Sequence, residues 1–420
     1  MSVKVVLLAA GKGERLWPLT TTRPKPALPV LGKPLLLWHL EALAEAGINE
    51  AIIVVHYKAE EIRSLVSNYE FRAKFVFQNE LLGTGDAVRH AIEGEQADRT
   101  IAIYSDVFIE KDLLKQMLRK GLSRDLIAGA IVDDISSFGA MEVKNGVLRE
   151  IKEKPQTKRS GLVFAGVLSV DSQELYKALM ETRLSPRGEY ELTDAINKIA
   201  GKLEIEVVEL PSNYWADVGT PWDYLKLNRN LLVRECEKRG LVPDDCILLG
   251  KNVTIKEPVA LEPPLYIGDN AVIGPFASLR GPVIVCRDSK IGFSSQVKGS
   301  VILEGAKIPH LNYVGDSIVG ERSNLGAGTI TANLRHDEKP IKTMIRGELV
   351  STTLRKFGSV IGGFVKTGIN TSILPGVKIG AGAWIGAGCI VDRDVPDNAI
   401  LKCTQERTLE LREPRDEGKV

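Results

Sequence analysis

A chain of 420 residues is longer than one hydrophobic core normally serves, so two domains are expected, and its 44% apolar composition supplies core for both. A net charge of +1 provides no global field for nucleic acid or an anionic membrane, so phosphate binding must come from local constellations. No apolar run approaches membrane-spanning length; the cysteines, Cys236, Cys246, Cys286, Cys389 and Cys403, are scattered without CxxC spacing and are expected as buried reduced thiols of a cytoplasmic protein, not as disulfides or a zinc site.

The chain opens on Val3 to Leu28, VKVVLLAAGKGERLWPLTTTRPKPAL. Val5 to Ala10 is a continuous apolar run of the kind a buried parallel strand needs, and Gly11-Lys12-Gly13 breaks it, so the backbone must turn there. Glycines permit positive φ and close approach of amide N–H groups to phosphate oxygens. Arg15 and Lys25 supply positive charge, and Pro24 and Pro26 hold Lys25 on a stiff segment. The loop is neither a Walker motif, which needs Gly-Lys-Ser/Thr, nor a dinucleotide GxGxxG, because Leu16 stands at the third glycine. Read alone, Gly-x-Gly is a turn after a first strand. The whole stretch resembles the signature of the sugar-1-phosphate nucleotidylyltransferases, Gly-x-Gly-x-Arg-x-x-Pro-x-Thr followed by Pro-Lys-Pro. That resemblance implies that Ala10, Gly11 and Gly13 bind nucleotide and that Arg15 and Lys25 hold the triphosphate and stabilise the transition state. Glu14 departs from the Thr or Ser usual in that family.

Pro34 to Ala46 has helical apolar spacing and ends at Gly47, and Ala51 to Val55 reads as a second buried strand. Alternation continues through Asp112 to Lys120, which predicts a mostly parallel sheet with helices on both faces and ligands beyond the carboxyl ends of the strands. His39 and His56 fall inside these elements and are expected as satisfied structural histidines. Gln78 to Ala87 runs from a strand end into a helix start; the resemblance implies base contacts from Gln78, Gly83 and Thr84. Ile101 to Asp106 is a buried strand ending in a carboxylate, a natural Mg²⁺ ligand beside a triphosphate, with Ser105 in place of the family's glycine. Asp217, in Tyr214 to Pro221, alone is a turn residue; the resemblance makes it the second metal ligand. Phe138-Gly139 and Ile151 to Pro155 resemble the family's sugar-side elements, implying sugar contacts from Gly139 and Glu153, while Phe164 stands where the family writes asparagine. Glu189 to Asp194 matches the segment before the last helix of that domain.

Around Val242-Pro243 helical patterns stop. Ile361, Thr367, Ile373, Ile379, Ile385 and Val391 then recur every six residues, with Val365, Thr371, Val377, Ala383 and Cys389 between them, and the same step appears earlier at Ile267/Ile273/Leu279. Such a period means one short strand per triangular face, the aliphatic residue filling the interior. It resembles the left-handed parallel β-helix of hexapeptide-repeat acyltransferases. Two interruptions, Pro309 to Tyr313 and the basic loop Ala332 to Arg346, argue for more than a stalk. The order of the two domains resembles that of the bifunctional nucleotidylyltransferase/acetyltransferases of amino-sugar 1-phosphates, in their archaeal form. It implies His310 as general base on the sugar amine, with Tyr313, Asn333, Lys339 and Lys342 placing the sugar phosphate.

The expectation is therefore an α/β Rossmann-like nucleotidyltransferase domain over residues 1–230, a linker at 231–244, a left-handed β-helix acetyltransferase domain at 245–405 and a charged tail at 406–420. The activities implied are Mg²⁺-dependent transfer from UTP or dTTP to a sugar 1-phosphate, and acetyl transfer from acetyl-CoA to an amino-sugar 1-phosphate. A homotrimer is expected, with small-molecule partners only and a first domain that folds when cut near residue 230. The rival readings are a nucleotidylyltransferase whose β-helix only assembles it, and a non-catalytic assembly subunit.

Overall fold

The computed structural model describes residues 2–404 and 409. The tail expected from residue 406 lies outside the described residues, Leu409 apart. Nine strands form the first sheet: β1 (Val3–Ala9), β2 (Glu50–Val55), β3 (Arg72–Phe77), β4 (Arg99–Tyr104), β5 (Leu126–Val132), β6 (Gly139–Lys144), β7 (Val147–Glu153), β8 (Gly161–Asp171) and β9 (Glu206–Leu210). Their spatial order is β3-β2-β1-β4-β8-β5-β9-β7-β6. Strand β1 pairs in parallel with β2 and β4, Leu7 lying opposite both Ile53 and Ile103. The sheet is more mixed than the alternation predicts, since β8 runs antiparallel between β4 and β5.

Side chains alternate across β1. Val5, Leu7 and Ala9 enter a core shared with α1 (Leu35–Glu45), α2 (Ala59–Ser67) and α4 (Lys111–Gly121). Val6 enters the opposite core, with α3 (Thr84–Ile92), α5 (Ser172–Met180) and α6 (Leu192–Ala200). Chain order 1-2-3 proceeds to one side of β1 and β4 returns to the other, so the strand ends beside β1 and β4 frame a crevice.

From Ile247 to Leu401 short strands stack in parallel on three faces. Registers such as Ile247↔Leu265↔Val283 bring the repeat back to the same face after each coil, as the left-handed hexapeptide β-helix requires. Ile361, Ile373, Ile379, Ile385 and Val391 are buried in its interior with Val365, Val377, Ala383 and Cys389. Each such aliphatic side chain stabilises the coil by roughly 1.5–3 kcal/mol. The chain leaves the coil at Asn333 and re-enters at Phe357, whose N–H donates to Asn333 O at 3.0 Å. That excursion carries a hairpin, Lys342–Ile345 with Glu348–Ser351.

The stretch expected as a linker is half helical: α7 runs unbroken from Pro221 to Lys238, with Leu231, Leu232 and Cys236 buried. One apolar cluster joins Leu16, Leu19, Tyr224 and Leu231 to Ile284, Val301, Phe357 and Val360 of the coil. Polar ties reinforce this joint. Trp17 Nε1 donates to Asp397 Oδ1 at 3.1 Å, and Arg229 Nη2 meets Asp316 Oδ1 at 2.7 Å.

The cysteine expectation is corrected. Cys236 bridges Cys246 and Cys389 bridges Cys403, with Cα separations of 5.9 and 5.5 Å, leaving Cys286 as a buried free thiol. After α7 the chain reverses at Gly240, whose φ is 71°, and Pro243 starts a short 3₁₀ turn that returns Cys246 to the helix end. Sequence spacing carries no sign of that reversal. Among the described residues no helix is long and apolar enough to cross a membrane.

Candidate active site

The strand ends deliver the chemistry to one rim. Gly13 takes φ 65°, and a Cβ there would meet Thr20 Cγ2 at 3.0 Å and Lys25 Cβ at 3.2 Å, so the loop closes on itself only around a glycine. Gly11 has open space and no such constraint. Thr20 Oγ1 donates to Gly13 O at 3.0 Å, and Tyr57 Oη, past the end of β2, donates to Thr20 O at 2.9 Å.

Lys25 is buried at the centre. Its Nζ lies 3.0 Å from Asp106 Oδ2 and 3.4 Å from Asp217 Oδ1, so carboxylates more than a hundred residues apart converge on one ammonium. Burial alone would lower the Lys25 pKa, but Asp106 and Asp217 outweigh it and hold the pKa above its ordinary value. Arg15 Nη2 stands 3.8 Å from Asp217 Oδ2. A Cβ at Gly219 would strike Asp217 Oδ2 at 2.7 Å, and Thr220 next to it caps α7, accepting from Asp223 N at 3.3 Å. Just after Asp217, then, the chain passes a glycine that leaves room for the carboxylate and enters a capped helix.

Opposite, Gln78 is buried, its Nε2 donating to Asp86 Oδ2 at 2.8 Å and to Gly83 O at 3.2 Å. Gly83 has φ 101°, and a Cβ there would meet Tyr190 O at 2.7 Å. Gly85 N–H donates to Tyr190 O at 2.8 Å, Tyr190 N–H donates to Leu82 O at 2.7 Å, and Leu192 N–H donates to Thr84 Oγ1 at 3.2 Å. The segment Glu189 to Asp194 therefore backs the Gln78 to Thr84 loop.

A cavity of about 470 Å³ opens between these walls. Ala10, Gly11, Gly13, Arg15, Lys25, Gln78, Gly83, Thr84 and Asp106 line it, together with Tyr104, Glu189 and Arg346, to which the sequence alone assigned no site role. Gly139 and Glu153 face one another across β6 and β7 but stand outside this lining. Glu153 Oε2 accepts from Thr193 Oγ1 at 3.0 Å, and Arg187 Nη2 lies 3.3 Å from Glu153 Oε1. Phe164 packs edge-on against Tyr104 with ring centroids 5.2 Å apart, an apolar contact where an asparagine would offer an amide.

Oxygen donors from two carboxylates next to a cation-lined cavity fit Mg²⁺, which takes one or two carboxylates plus substrate oxygens. Among the described residues no group of three or more His, Cys, Asp and Glu gathers to hold a metal by itself.

On the coil, His310 ends a strand and is exposed, paired through its backbone with Phe293. Tyr313 Oη accepts from Asn333 Nδ2 at 3.4 Å, and the same Nδ2 donates to Asp316 Oδ2 at 2.6 Å. Gly315 lies beneath them, and a Cβ there would displace Tyr313 Oη, which it would meet at 2.6 Å. Lys339 and Lys342 are exposed on the excursion, and among the described residues no hydrogen bond joins either to His310. His39 differs from expectation: it is fully buried, neither ring nitrogen makes a hydrogen bond of normal geometry although the Val107 backbone is near, and burial pushes its pKa down to about 4. His56 does have one, Nδ1 lying 2.7 Å from Gln78 O.

Comparison with known proteins follows the same division. Residues 4–234 match the family model described as nucleotidyl transferase, and residues 261–367 match one described as GMPPB C-terminal domain. The chain is 38% identical over 405 residues to the bifunctional protein GlmU of Methanocaldococcus jannaschii, covering 94% of this chain and 96% of that one. It is 40% identical over 417 residues to the bifunctional sugar-1-phosphate nucleotidylyltransferase/acetyltransferase of Sulfurisphaera tokodaii, covering 95% of this chain and all of that one. Identity to the bifunctional protein GlmU of Thermoanaerobacter pseudethanolicus is 29%, with 96% of this chain covered.

Proposed function

The chain belongs to the nucleotidyl transferase family and to its bifunctional nucleotidylyltransferase/acetyltransferase branch, and on that premise we propose two transfer reactions for its two halves. Residues 1–230 convert a sugar 1-phosphate, N-acetylglucosamine or glucose 1-phosphate, and UTP or dTTP into an NDP-sugar and pyrophosphate. The observation that carries this reading is the convergence of Asp106, Asp217 and Arg15 around buried Lys25. A phosphate oxygen of the sugar 1-phosphate attacks the α-phosphorus, and the bond to the β-phosphate oxygen breaks. No protein nucleophile is needed; positioning and charge neutralisation carry the rate. Arg15 and Lys25 meet the triphosphate with charge already in place, Ala10, Gly11 and Gly13 offer backbone contacts, and Gln78, Gly83 and Thr84 hold the base. Gly139 and Glu153 hold sugar hydroxyls. Asp106 and Asp217 would hold Mg²⁺, which supplies further neutralisation of phosphate charge.

Residues 245–405 transfer acetyl from acetyl-CoA to glucosamine or galactosamine 1-phosphate, with residues 231–244 joining the halves. His310 takes the proton of the ammonium, the freed amine attacks the thioester carbonyl, the C–S bond breaks, and CoA leaves as the thiol with the second proton of the amine. Tyr313, Asn333, Lys339 and Lys342 place the sugar phosphate. A homotrimer suits this half: Phe276, Phe293, Leu311 and Ile369 are 58, 45, 60 and 55% exposed along the corner that carries His310. A neighbouring copy would cover them and bring the lysines that its own chain does not bring to His310. A cytoplasmic location fits the small-molecule substrates, and intracellular disulfides occur in hyperthermophiles.

The test measures pyrophosphate release across NTPs and sugar 1-phosphates in parallel with thiol release from acetyl-CoA. In His310→Ala thiol release should fall by a factor of about 10² to 10⁴ while pyrophosphate release continues. Full thiol release in that variant would refute the base assignment. Absence of thiol release in the unmodified protein with any amino-sugar phosphate would leave the β-helix as an assembly device.

A further inference from the structure

The cavity in the first domain has one wall that the first domain does not supply. Arg346 lines it alongside Gly13, Arg15 and Lys25, yet it sits at the tip of the hairpin extruded from the β-helix. Its guanidinium reaches across the domain joint, Nη2 lying 3.0 Å from Glu14 Oε2. Glu14 is the residue that replaces the Thr or Ser usual in the phosphate loop.

Three observations set this arginine apart from an incidental surface charge. First, the hairpin turn is two residues long, Arg346 at φ 50° and Gly347 at φ 84° between Ile345 and Glu348. Turns with two positive φ values favour Asn-Gly or Asp-Gly, so a long unbranched cation occupies a place where asparagine would sit with less strain. Second, the side chains of Arg346 and Glu14 are 64 and 53% exposed, and ion pairs so open to water contribute little to stability. Holding the domains together falls instead to the buried joint. Third, the hairpin is fixed in place: Thr343 Oγ1 donates to Gly376 O at 2.6 Å, and buried Lys378 donates to Met344 O while standing 4.7 Å over the Trp17 ring. Trp17 belongs to the same loop as Arg15, so tip and loop are registered against one another.

We propose that Arg346 is a phosphate-binding residue of the nucleotidyl site, contributed by the second domain. The proposal rests on the nucleotidyl-transfer reading of the cavity and deepens it. A bare Glu14 at the mouth repels a triphosphate. Arg346 cancels that charge and presents the planar donor fork that suits phosphate oxygens, Glu14 holding it on station until nucleotide arrives. The contact is made to the bound nucleotide throughout the reaction, so it acts on NTP binding more than on the chemical step. The same hairpin carries Lys342 at its base, which gives the two halves one shared rigid element.

The experiment measures initial rates of pyrophosphate release in the full-length protein with NTP and sugar 1-phosphate varied separately. Arg346→Ala should raise the KM for NTP about tenfold, with kcat changed less than about threefold and the sugar-phosphate KM unmoved, and added salt should narrow the difference from the unmodified protein. Arg346→Asn suits the turn, so it should melt no lower than the unmodified protein and still show the raised KM. Arg346→Lys should recover part of the affinity, since it restores the charge without the fork. A KM for NTP within about twofold of normal in the Ala and Asn variants would overturn the proposal. A rise in both substrate KM values with a lowered melting temperature in the Asn variant would assign Arg346 a structural role instead. Lack of pyrophosphate release in the unmodified protein with any NTP would sink the transfer reading itself, an outcome distinct from a normal Arg346 variant of an active enzyme.

Discussion

Arg23 is the most informative residue to perturb, because it couples the phosphate loop to the β-helix without touching the cavity. Its Nη1 lies 3.1 Å from Glu304 Oε1 and its Nη2 3.3 Å from Glu321 Oε2, with side-chain exposures of 16, 19 and 9% for the three residues. Burial alone would lower the Arg23 pKa, but Glu304 and Glu321 more than reverse that, so the guanidinium stays charged. Arg23→Ala leaves two mostly buried carboxylates facing each other with no cation between them. Removing one partner of a buried pair costs about 3–5 kcal/mol, and the like-charged pair left behind pushes towards the upper end. The joint links two cores, so a melting temperature is the safer measure than one free energy of unfolding. With about 2–4 °C per kcal/mol for units of this size, the drop should be about 6–20 °C by calorimetry at pH 7. It should shrink as the pH falls and the orphaned carboxylates protonate. Arg23→Met with both glutamates changed to glutamine should recover most of the loss, because a neutral, well-packed joint has no buried charge to compensate. A melting temperature within about 2 °C of normal for Arg23→Ala would refute the account of the joint.

Asp106→Asn and Asp217→Asn should each cut pyrophosphate release at saturating Mg²⁺ by about 100-fold in a protein that still folds, with melting lowered by the loss of one carboxylate beside buried Lys25, and near-normal turnover in both would remove the two-carboxylate site. Because the folded pKa of His39, about 4, lies below the unfolded value, its contribution is present above about pH 6.5 and is lost as the pH falls towards 4, about 3 kcal/mol in all. His39→Leu should flatten the acid limb of stability against pH, and an unchanged slope would show that His39 does not set it. Contrary to the expectation of a first domain that folds when cut near residue 230, such a cut severs α7 and uncovers the cluster around Leu16, Tyr224 and Leu225, so the fragment should aggregate. A monodisperse, folded fragment by light scattering and circular dichroism would contradict this.

Much of the architecture was legible because it rests on periodicity. The six-residue step placed Ile361, Ile373 and Ile379 inside the coil, where all are fully buried, and strand–helix alternation brought the ends of β1 and β4 to one rim. Lys25, Asp106 and Asp217 were legible through local signatures, although their meeting at 3.0 and 3.4 Å is a property of the sheet and not of any window of sequence. What stayed hidden depends on contacts with no local pattern. The antiparallel course of β8 follows from where its connections lead, since an apolar run looks the same in either direction. The cystine Cys236–Cys246 depends on the reversal after α7. Tyr104 and Glu189 reach the cavity only through folding, and Arg346 only through the packing of a distant hairpin.

The bond between Trp17 and Asp397 joins residues 380 positions apart in the chain. Synthesis at about 5–20 residues per second therefore separates the appearance of the two partners by roughly 20–80 s. The phosphate loop therefore leaves the ribosome well before its outer anchor is made. Over that interval a nascent chain holds the loop only by its inner bonds, such as that from Tyr57 to Thr20 O, and the rim of the nucleotide pocket is tied down when the coil that carries Asp397 closes.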